Sequence, residues 1–81
     1  MKFQISKELD ETLSKLDRNL REQVLKKIDK VLKQPHLGKP LSKGMSGLRR
    51  ERVGKYRLIY SMHPDFLVFH AFEHRKKVYG K

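Results

Sequence analysis

Three closely spaced arginines in the second half of the chain suit the binding of a phosphate group. Gly54 and Lys55 form a Gly-X pair of the kind that closes a two-residue β-hairpin. In that hairpin Arg52 lies opposite Arg57, and Arg50 shares their face because side chains alternate along a strand. Like charges placed opposite each other destabilise a sheet. We therefore expect this surface, here called the arginine face, to bind an anion, since guanidinium groups contact phosphate in a bidentate way.

The alternative is that these arginines are solvated strand residues paired with acids. Residues 35–81 hold only three acids against eleven bases, a net charge of +8, whereas residues 1–34 hold six against nine, a net charge of +3. Most cations of the second half therefore lack an acidic partner. This imbalance favours an anion-binding site over arginines that are merely solvated or paired with acids.

A second group of candidate residues lies near the C-terminus. His74 and Arg75 stand where the predicted last strand ends, and Tyr79 follows four residues after Arg75. Imidazole titrates near neutral pH, and a phenol can stack on a base or contact a phosphate. Tyr79 could equally be an ordinary aromatic packed against the sheet. The lysines expected to add positive charge around a bound phosphate are Lys55, Lys76 and Lys77.

The other histidines are expected to have no catalytic role. His36 lies in a predicted loop and His63 in a predicted turn, whereas His70 lies within a strand and should be partly buried with a hydrogen-bond partner. In a strand, His70 and His74 would stand ~13 Å apart, too far to share a metal ion. The chain has no cysteine. We therefore expect neither a metal nor another cofactor, and no disulfide or cysteine nucleophile.

Length and charge limit the possible functions. The chain has 81 residues and a formal net charge of +11. That length predicts a single domain, residues 1–81, and the charge predicts a polyanionic partner such as a nucleic acid or an acidic protein. No apolar run is long enough to cross a membrane, and the start shows no signal-peptide core. We expect a cytoplasmic protein.

Hydrophobic spacing in the first half predicts a short strand and a helical hairpin. Phe3 and Ile5 alternate with polar residues, as in a strand. Ser6 is the expected N-cap of the first helix, and Asp17 or Asn19 that of the second. Pro35 should end the hairpin, whose two apolar stripes comprise Leu9, Leu13, Leu16 and Leu20, then Val24, Leu25, Ile28, Val31 and Leu32.

The second half changes to strand periodicity. Residues 34–47 form a predicted loop, and residues 48–53, 56–62 and 66–74 form predicted strands. The resulting fold class is α+β: a small antiparallel sheet with the helical hairpin on one face, in the order β-α-α-β-β-β. The predicted core side carries Leu58, Tyr60, Leu67, Phe69 and Ala71, and the arginine face gains His70 and Phe72.

Two charged residues fit this pattern poorly. Arg49 and Glu51 share the parity of the core side. Either they lie at the margin of the sheet, or the hairpin is bulged and the register is shifted by one residue.

The element order and two motifs resemble the RelE/ParE superfamily of type II toxins, with the RelE branch nearer. The motifs are LRRERVGKYRLIY and the ending HRKKVY. The resemblance implies metal-independent cleavage of mRNA in the ribosomal decoding site, in which the ribose 2′-hydroxyl attacks the adjacent phosphate. It also implies an antitoxin partner, which the charge of this chain predicts to be acidic. By position, Arg57 would stabilise the phosphate, Arg75 the charge on the leaving oxygen, and Tyr79 would orient the nucleotide.

The arginines at positions 50 and 52 depart from that pattern, because the RelE branch often carries lysine there. A lysine with a lowered pKa can act as a base, but an arginine essentially cannot lose its proton. His74 is therefore the candidate that accepts or relays the 2′-hydroxyl proton. Glu73 is the second candidate for this base. The third possibility is catalysis without a base, in which the arginines act only by stabilising negative charge.

Two other functions stay open at this point. One is a ParE-like toxin that binds DNA gyrase and cleaves no RNA. The other is a catalytically silent basic module that binds RNA or an antitoxin. The titratable group beside the expected phosphate site favours the nuclease.

Overall fold

Two helices and five strands form the protein. The structure, a computed structural model, describes residues 2–40, 47–74 and 76. The expected element order is confirmed, with one short extra strand inside the segment predicted as a loop. The elements are β1 Lys2–Ile5, α1 Lys7–Lys15, α2 Arg18–Lys33, β2 Lys39–Pro40, β3 Leu48–Val53, β4 Tyr56–Met62 and β5 Phe66–His74.

Side-chain caps define where both helices begin. The Ser6 hydroxyl accepts a hydrogen bond from the Leu9 N–H at 3.0 Å, and the Asp17 carboxylate accepts one from the Leu20 N–H at 2.8 Å. Each cap satisfies a donor that the first helical turn leaves unpaired. Asp17, rather than Asn19, is thus the second cap. No helix in the described parts of the chain is long and apolar enough to span a membrane.

The sheet has the strand order β1-β5-β4-β3-β2. Neighbouring strands are antiparallel except at one edge, where β1 pairs with β5 in parallel. A parallel pair requires a long connection, and here the helices and three strands supply it. The predicted α+β class is confirmed, and the sheet is mixed rather than wholly antiparallel.

The hairpin between β3 and β4 has the register expected from its turn. Arg52 lies opposite Arg57, and Val53 lies opposite Tyr56. Gly54 adopts a φ of 58°, a left-handed conformation that glycine enters without steric cost. The two-residue turn thus places Arg52 directly opposite Arg57.

A β-bulge changes the register between β4 and β5. Ala71 lies opposite Ile59, whereas Tyr60 lies opposite Phe69, so His70 is the extra residue on β5. One inserted residue moves every later side chain of the strand to the opposite face. Residues after His70 therefore face the side opposite to that expected from simple alternation.

Two predicted positions are wrong for this reason. Phe72, expected on the arginine face, is buried in the core opposite Leu58. Ala71, expected in the core, lies opposite Ile59 on the arginine face. The bulge thus brings Phe72 to the face on which the helices pack, here called the helix face.

The core is one layer between the helices and the helix face. Tyr60 is fully buried; its hydroxyl donates to the Pro35 carbonyl at 2.9 Å and accepts from the Gly38 N–H at 2.8 Å. These bonds tie the segment before β2 to the sheet. The core cluster comprises Leu9, Leu13, Val24, Ile28, Val31, Val53, Leu58, Tyr60, Leu67, Phe69 and Phe72.

Candidate functional site on the arginine face

Three charged residues form a row across three adjacent strands. Arg52 on β3 lies opposite Arg57 on β4, and Arg57 lies opposite Glu73 on β5. Residues directly opposite each other in antiparallel strands have Cβ atoms about 4.5–5.5 Å apart. The predicted pairing of the two arginines is confirmed, and the structure adds a carboxylate beside them.

Arg57 occupies the middle of this row and is half-buried, with its Nε atom shielded from solvent. Arg52 is exposed, and Arg50 is half-buried with its Nη1 donating to the Pro40 carbonyl at 3.3 Å. Ile59 follows Arg57 on the same face and is only 2% exposed. An apolar, poorly hydrated neighbour strengthens any charge interaction that Arg57 makes.

Glu73 was not expected on this face. Simple alternation along β5 would place it on the helix face, and the bulge at His70 reverses that placement. Its side chain is half-buried, and its Oε2 atom is shielded from solvent. No local sequence signal identifies this placement, because Phe69 and Phe72 are both core residues only once the bulge is present.

His74 is also displaced by the bulge. It pairs with Tyr56, and the two ring centroids are 5.5 Å apart with an interplanar angle of 73°. Tyr56 in turn stacks on buried Phe72 at 5.0 Å, so the His74 ring lies at the end of the helix face. The expected position of His74 beside Arg57 is wrong. The His74 Nδ1 atom accepts a hydrogen bond from the Lys76 N–H at 3.2 Å.

The two charged residues with core-side parity lie on β3, next to the edge strand β2, and the β3–β4 pairing has the expected register. The Glu51 carboxylate pairs with Lys27 of α2 at 3.3 Å, and the Arg49 Nη1 atom donates to the Gly38 carbonyl at 2.8 Å. The register is therefore not shifted. Glu51 faces the helices and does not pair with the arginine face.

The remaining predicted site residues divide into two groups. Lys55, in the hairpin turn, and Lys76 are exposed, so both are accessible to a polyanion. Arg75, Lys77 and Tyr79 lie outside the described residues.

A histidine cluster adjoins the row further along the same face. The Ser61 hydroxyl contacts the Nε2 atoms of His70 at 2.8 Å and of His63 at 2.9 Å. Burial, followed by the proximity of His63, lowers the pKa of His70. His70 is thus the partly buried, hydrogen-bonded residue that was predicted, and His36 and His63 are exposed. Ser61 was not among the predicted site residues. Within the described ranges, no group of three or more His, Asp or Glu residues is arranged to hold a metal ion.

Several solved structures are similar to this chain. The RelBE2 toxin–antitoxin complex of Mycobacterium tuberculosis is 24% identical, with a TM-score of 0.80 over 91% of this chain and 96% of the other. The intact RelBE toxin–antitoxin complex of E. coli is 20% identical, with a TM-score of 0.79 over 94% and 98%. A YoeB/ParE toxin from Agrobacterium tumefaciens is 19% identical, with a TM-score of 0.77 over 93% and 99%. Identities this low show a shared fold.

The family assignment comes from the sequence itself. A comparison with curated protein sequences finds no match. Residues 3–79, however, match the family model described as ParE toxin of type II toxin–antitoxin system, parDE. The match covers both helices and every strand that contributes to the arginine face. The chain therefore belongs to the RelE/ParE superfamily of toxins of type II toxin–antitoxin systems.

Proposed function

We propose that this toxin is a metal-independent endoribonuclease that cleaves mRNA in the ribosomal decoding site. The observation that carries the proposal is the half-buried Arg57 beside Arg52 on the face away from the helices. Two guanidinium groups held opposite each other destabilise an empty sheet but suit a bound phosphodiester. The resemblance to the RelE branch supports RNA as the source of that phosphate.

The proposed reaction is transfer of a phosphoryl group within the RNA. The 2′-oxygen of one ribose bonds to the adjacent phosphorus, and the bond from phosphorus to the 5′-oxygen breaks. The products carry a 2′,3′-cyclic phosphate and a 5′-hydroxyl. Negative charge grows on the phosphate oxygens in the transition state, so preorganised cations lower the barrier.

Arg57 is proposed to supply most of that stabilisation. Arg57 shares its face of β4 with buried Ile59, two residues away, and charge interactions in such poorly hydrated surroundings are stronger than in water. Arg75 is proposed to stabilise the leaving 5′-oxygen, and Tyr79 to stack on or orient the target nucleotide. The residues proposed to bind flanking phosphates are Arg50, Arg52, Lys55, Lys76 and Lys77.

An acidic antitoxin is the proposed protein partner. The similar structures include complexes of RelE-type toxins with RelB-type antitoxins. This chain adds a net charge of +11, which an acidic partner would neutralise. Ile5 and Phe3 on the edge strand β1 are 37% and 45% exposed. An antitoxin that also carries an apolar helix or strand would cover them.

A gyrase-binding toxin is the second candidate. It is favoured by the arginines at positions 50 and 52, because neither can give up a proton at neutral pH. Binding to gyrase needs a basic surface but no base. A silent module that binds RNA or an antitoxin remains the third possibility, and it differs from both in lacking toxicity.

One pair of assays separates these functions. Primer extension on a message under translation should show new 5′ ends only when the toxin is present, and plasmid supercoiling by gyrase should be unaffected. Inhibited supercoiling with an intact message would instead establish the gyrase toxin. If the folded protein binds its antitoxin but neither cleaves the message nor inhibits gyrase, the silent module is established.

A further inference from the structure

We propose that Glu73 is the catalytic base that removes the proton from the ribose 2′-hydroxyl. This inference rests on the proposed nuclease function and names a residue that performs one of its steps. It depends on the β-bulge at His70, which brings Glu73 onto the arginine face.

Geometry places this carboxylate beside the proposed phosphate site. Glu73 lies directly opposite Arg57, and Arg57 lies directly opposite Arg52. On its other side, β1 pairs with β5 only as far as Phe69, so β1 does not cover Glu73. The side chain is half-buried, with its Oε2 atom shielded. A phosphate bound at Arg57 would therefore have this carboxylate on the side facing β5.

The other candidate bases are less suitable. Arg50 and Arg52 stay protonated at neutral pH, and His74 lies at the end of the helix face against Tyr56. Among the described residues, the charged groups that face Glu73 from the neighbouring strands are Arg57 on β4 and, one strand further, Arg52 on β3.

A carboxylate at this position repels the phosphate that the arginines attract. Removal of the 2′-hydroxyl proton is a step in which the carboxylate helps the reaction. As the 2′-oxygen bonds to phosphorus, its proton passes to the Glu73 carboxylate. The 5′-oxygen leaves with the electron pair of its broken bond and takes a proton from water. Glu73 then returns its proton to solvent, so the enzyme is unchanged and no oxidant or reductant is needed.

The competing explanation is a purely structural ion pair that relieves repulsion between Arg52 and Arg57. The two explanations differ in what Glu73→Gln does. A structural pair predicts a lower melting temperature with cleavage by the remaining folded protein unchanged. A base predicts slower chemistry with no loss of binding.

The test uses ribosomes programmed with a defined message, with cleavage followed by primer extension. Glu73→Gln should slow single-turnover cleavage about 10²- to 10⁴-fold. It should bind a message with a 2′-deoxy target nucleotide at least as tightly as the unaltered protein, because one negative charge is removed. Glu73→Asp should recover part of the rate. The matched control is Glu51→Gln, which alters a carboxylate on the helix face and should leave cleavage unchanged.

The pH profile provides a second readout. Cleavage by the unaltered toxin should depend less on pH between about pH 6 and about pH 8 than cleavage by Glu73→Gln. In Glu73→Gln hydroxide must act instead, and the rate should rise about tenfold per pH unit. A folded Glu73→Gln protein that cleaves at the normal rate would overturn the inference. So would a large loss of cleavage in His74→Gln together with normal cleavage in Glu73→Gln.

Failure of the inference and failure of the proposed function give different results. If the unaltered toxin leaves the message intact while its gyrase assay is positive, the nuclease function itself is wrong. If the unaltered toxin cleaves and Glu73→Gln cleaves equally well, only the role of Glu73 is wrong.

Discussion

Arg57 occupies the centre of the charged row on the arginine face. It lies on the face away from the core cluster, and its neighbours in the row are Arg52 and Glu73. Removing it should therefore change charge more than stability. This makes Arg57 the residue whose substitution most directly tests the proposed phosphate site.

We expect Arg57→Ala to lower cleavage about 10²- to 10³-fold, equivalent to about 2.7–4 kcal/mol of transition-state stabilisation. Primer extension measures the loss, and circular dichroism should show an unaltered fold. Arg18→Ala is the matched control, because Arg18 is exposed on α2, where it pairs with Glu22 one helical turn away. Normal cleavage by folded Arg57→Ala would remove Arg57 from the site.

The Tyr60 hydroxyl stabilises the fold through its hydrogen bonds to the segment before β2. Tyr60→Phe should lower the free energy of unfolding by about 1–3 kcal/mol, because the buried Gly38 N–H and the Pro35 carbonyl lose their partner. Urea denaturation measures this change. Tyr56→Phe, at the other end of β4, is the control and should be nearly neutral. Equal stability of the two variants would show that solvent replaces both hydrogen bonds.

At the scale of the elements, the bulge in β5 has the largest effect on which side chains face the core and which face the arginines. It inserts His70 between two core aromatics, Phe69 and Phe72, and both are buried as a result. Ser6, the cap of α1, donates from its hydroxyl to the His70 carbonyl at 2.7 Å. The start of α1 is thus linked to the bulge, which also decides which charged residues face the arginines.

The bulge should make stability depend on pH. Burial and the proximity of His63 lower the pKa of His70 in the folded state, while Glu8 opposes them. The stabilising effect of neutral His70 is therefore complete above the unfolded value of about 6.5 and is lost as the pH falls from that value toward the folded one.

Urea denaturation midpoints between about pH 5 and about pH 7.5 test this expectation. The midpoint should fall on acidification, and His70→Gln should reduce that fall because it keeps an amide near Ser61 but cannot titrate. His36→Gln, in an exposed loop, should leave the slope unchanged. An identical slope in His70→Gln would assign the effect to other groups.

At the scale of the whole molecule, the uneven charge governs association. The arginine face belongs to the half of the chain with a net charge of +8, and the helical half carries only +3. Surface charges attract an oppositely charged partner over about 10 Å at 0.1 M salt. An acidic antitoxin should therefore approach the sheet side of the toxin faster than a neutral protein would.

We expect association with the antitoxin to be faster at about 50 mM than at about 200 mM salt. Stopped-flow mixing with an acidic antitoxin protein measures the rates. Arg52→Gln with Lys55→Gln should slow association more than Lys26→Gln with Lys30→Gln, although both pairs remove equal charge. Equal effects, or rates independent of salt, would contradict steering by the arginine face.

Local rules determined most of the fold. Strand alternation and turn chemistry predicted β3, β4 and β5 with the bounds that the structure has, because glycine at a left-handed φ specifies a tight hairpin without help from distant residues. The same rules placed Arg52 opposite Arg57. The cap Ser6 was likewise predicted, since a cap acts within one helical turn, whereas the structure decided between Asp17 and Asn19 for the second cap.

Tertiary structure alone decided which side of the sheet the end of β5 presents. Alternation along residues 66–74 fits either an unbroken strand or a bulged one, and local sequence does not distinguish them. The helices and β4 supply the deciding contacts, because Phe69 and Phe72 are both buried in one core cluster although three residues separate them. That packing requires one extra residue, His70, and it moves Glu73 onto the arginine face and His74 onto the helix face.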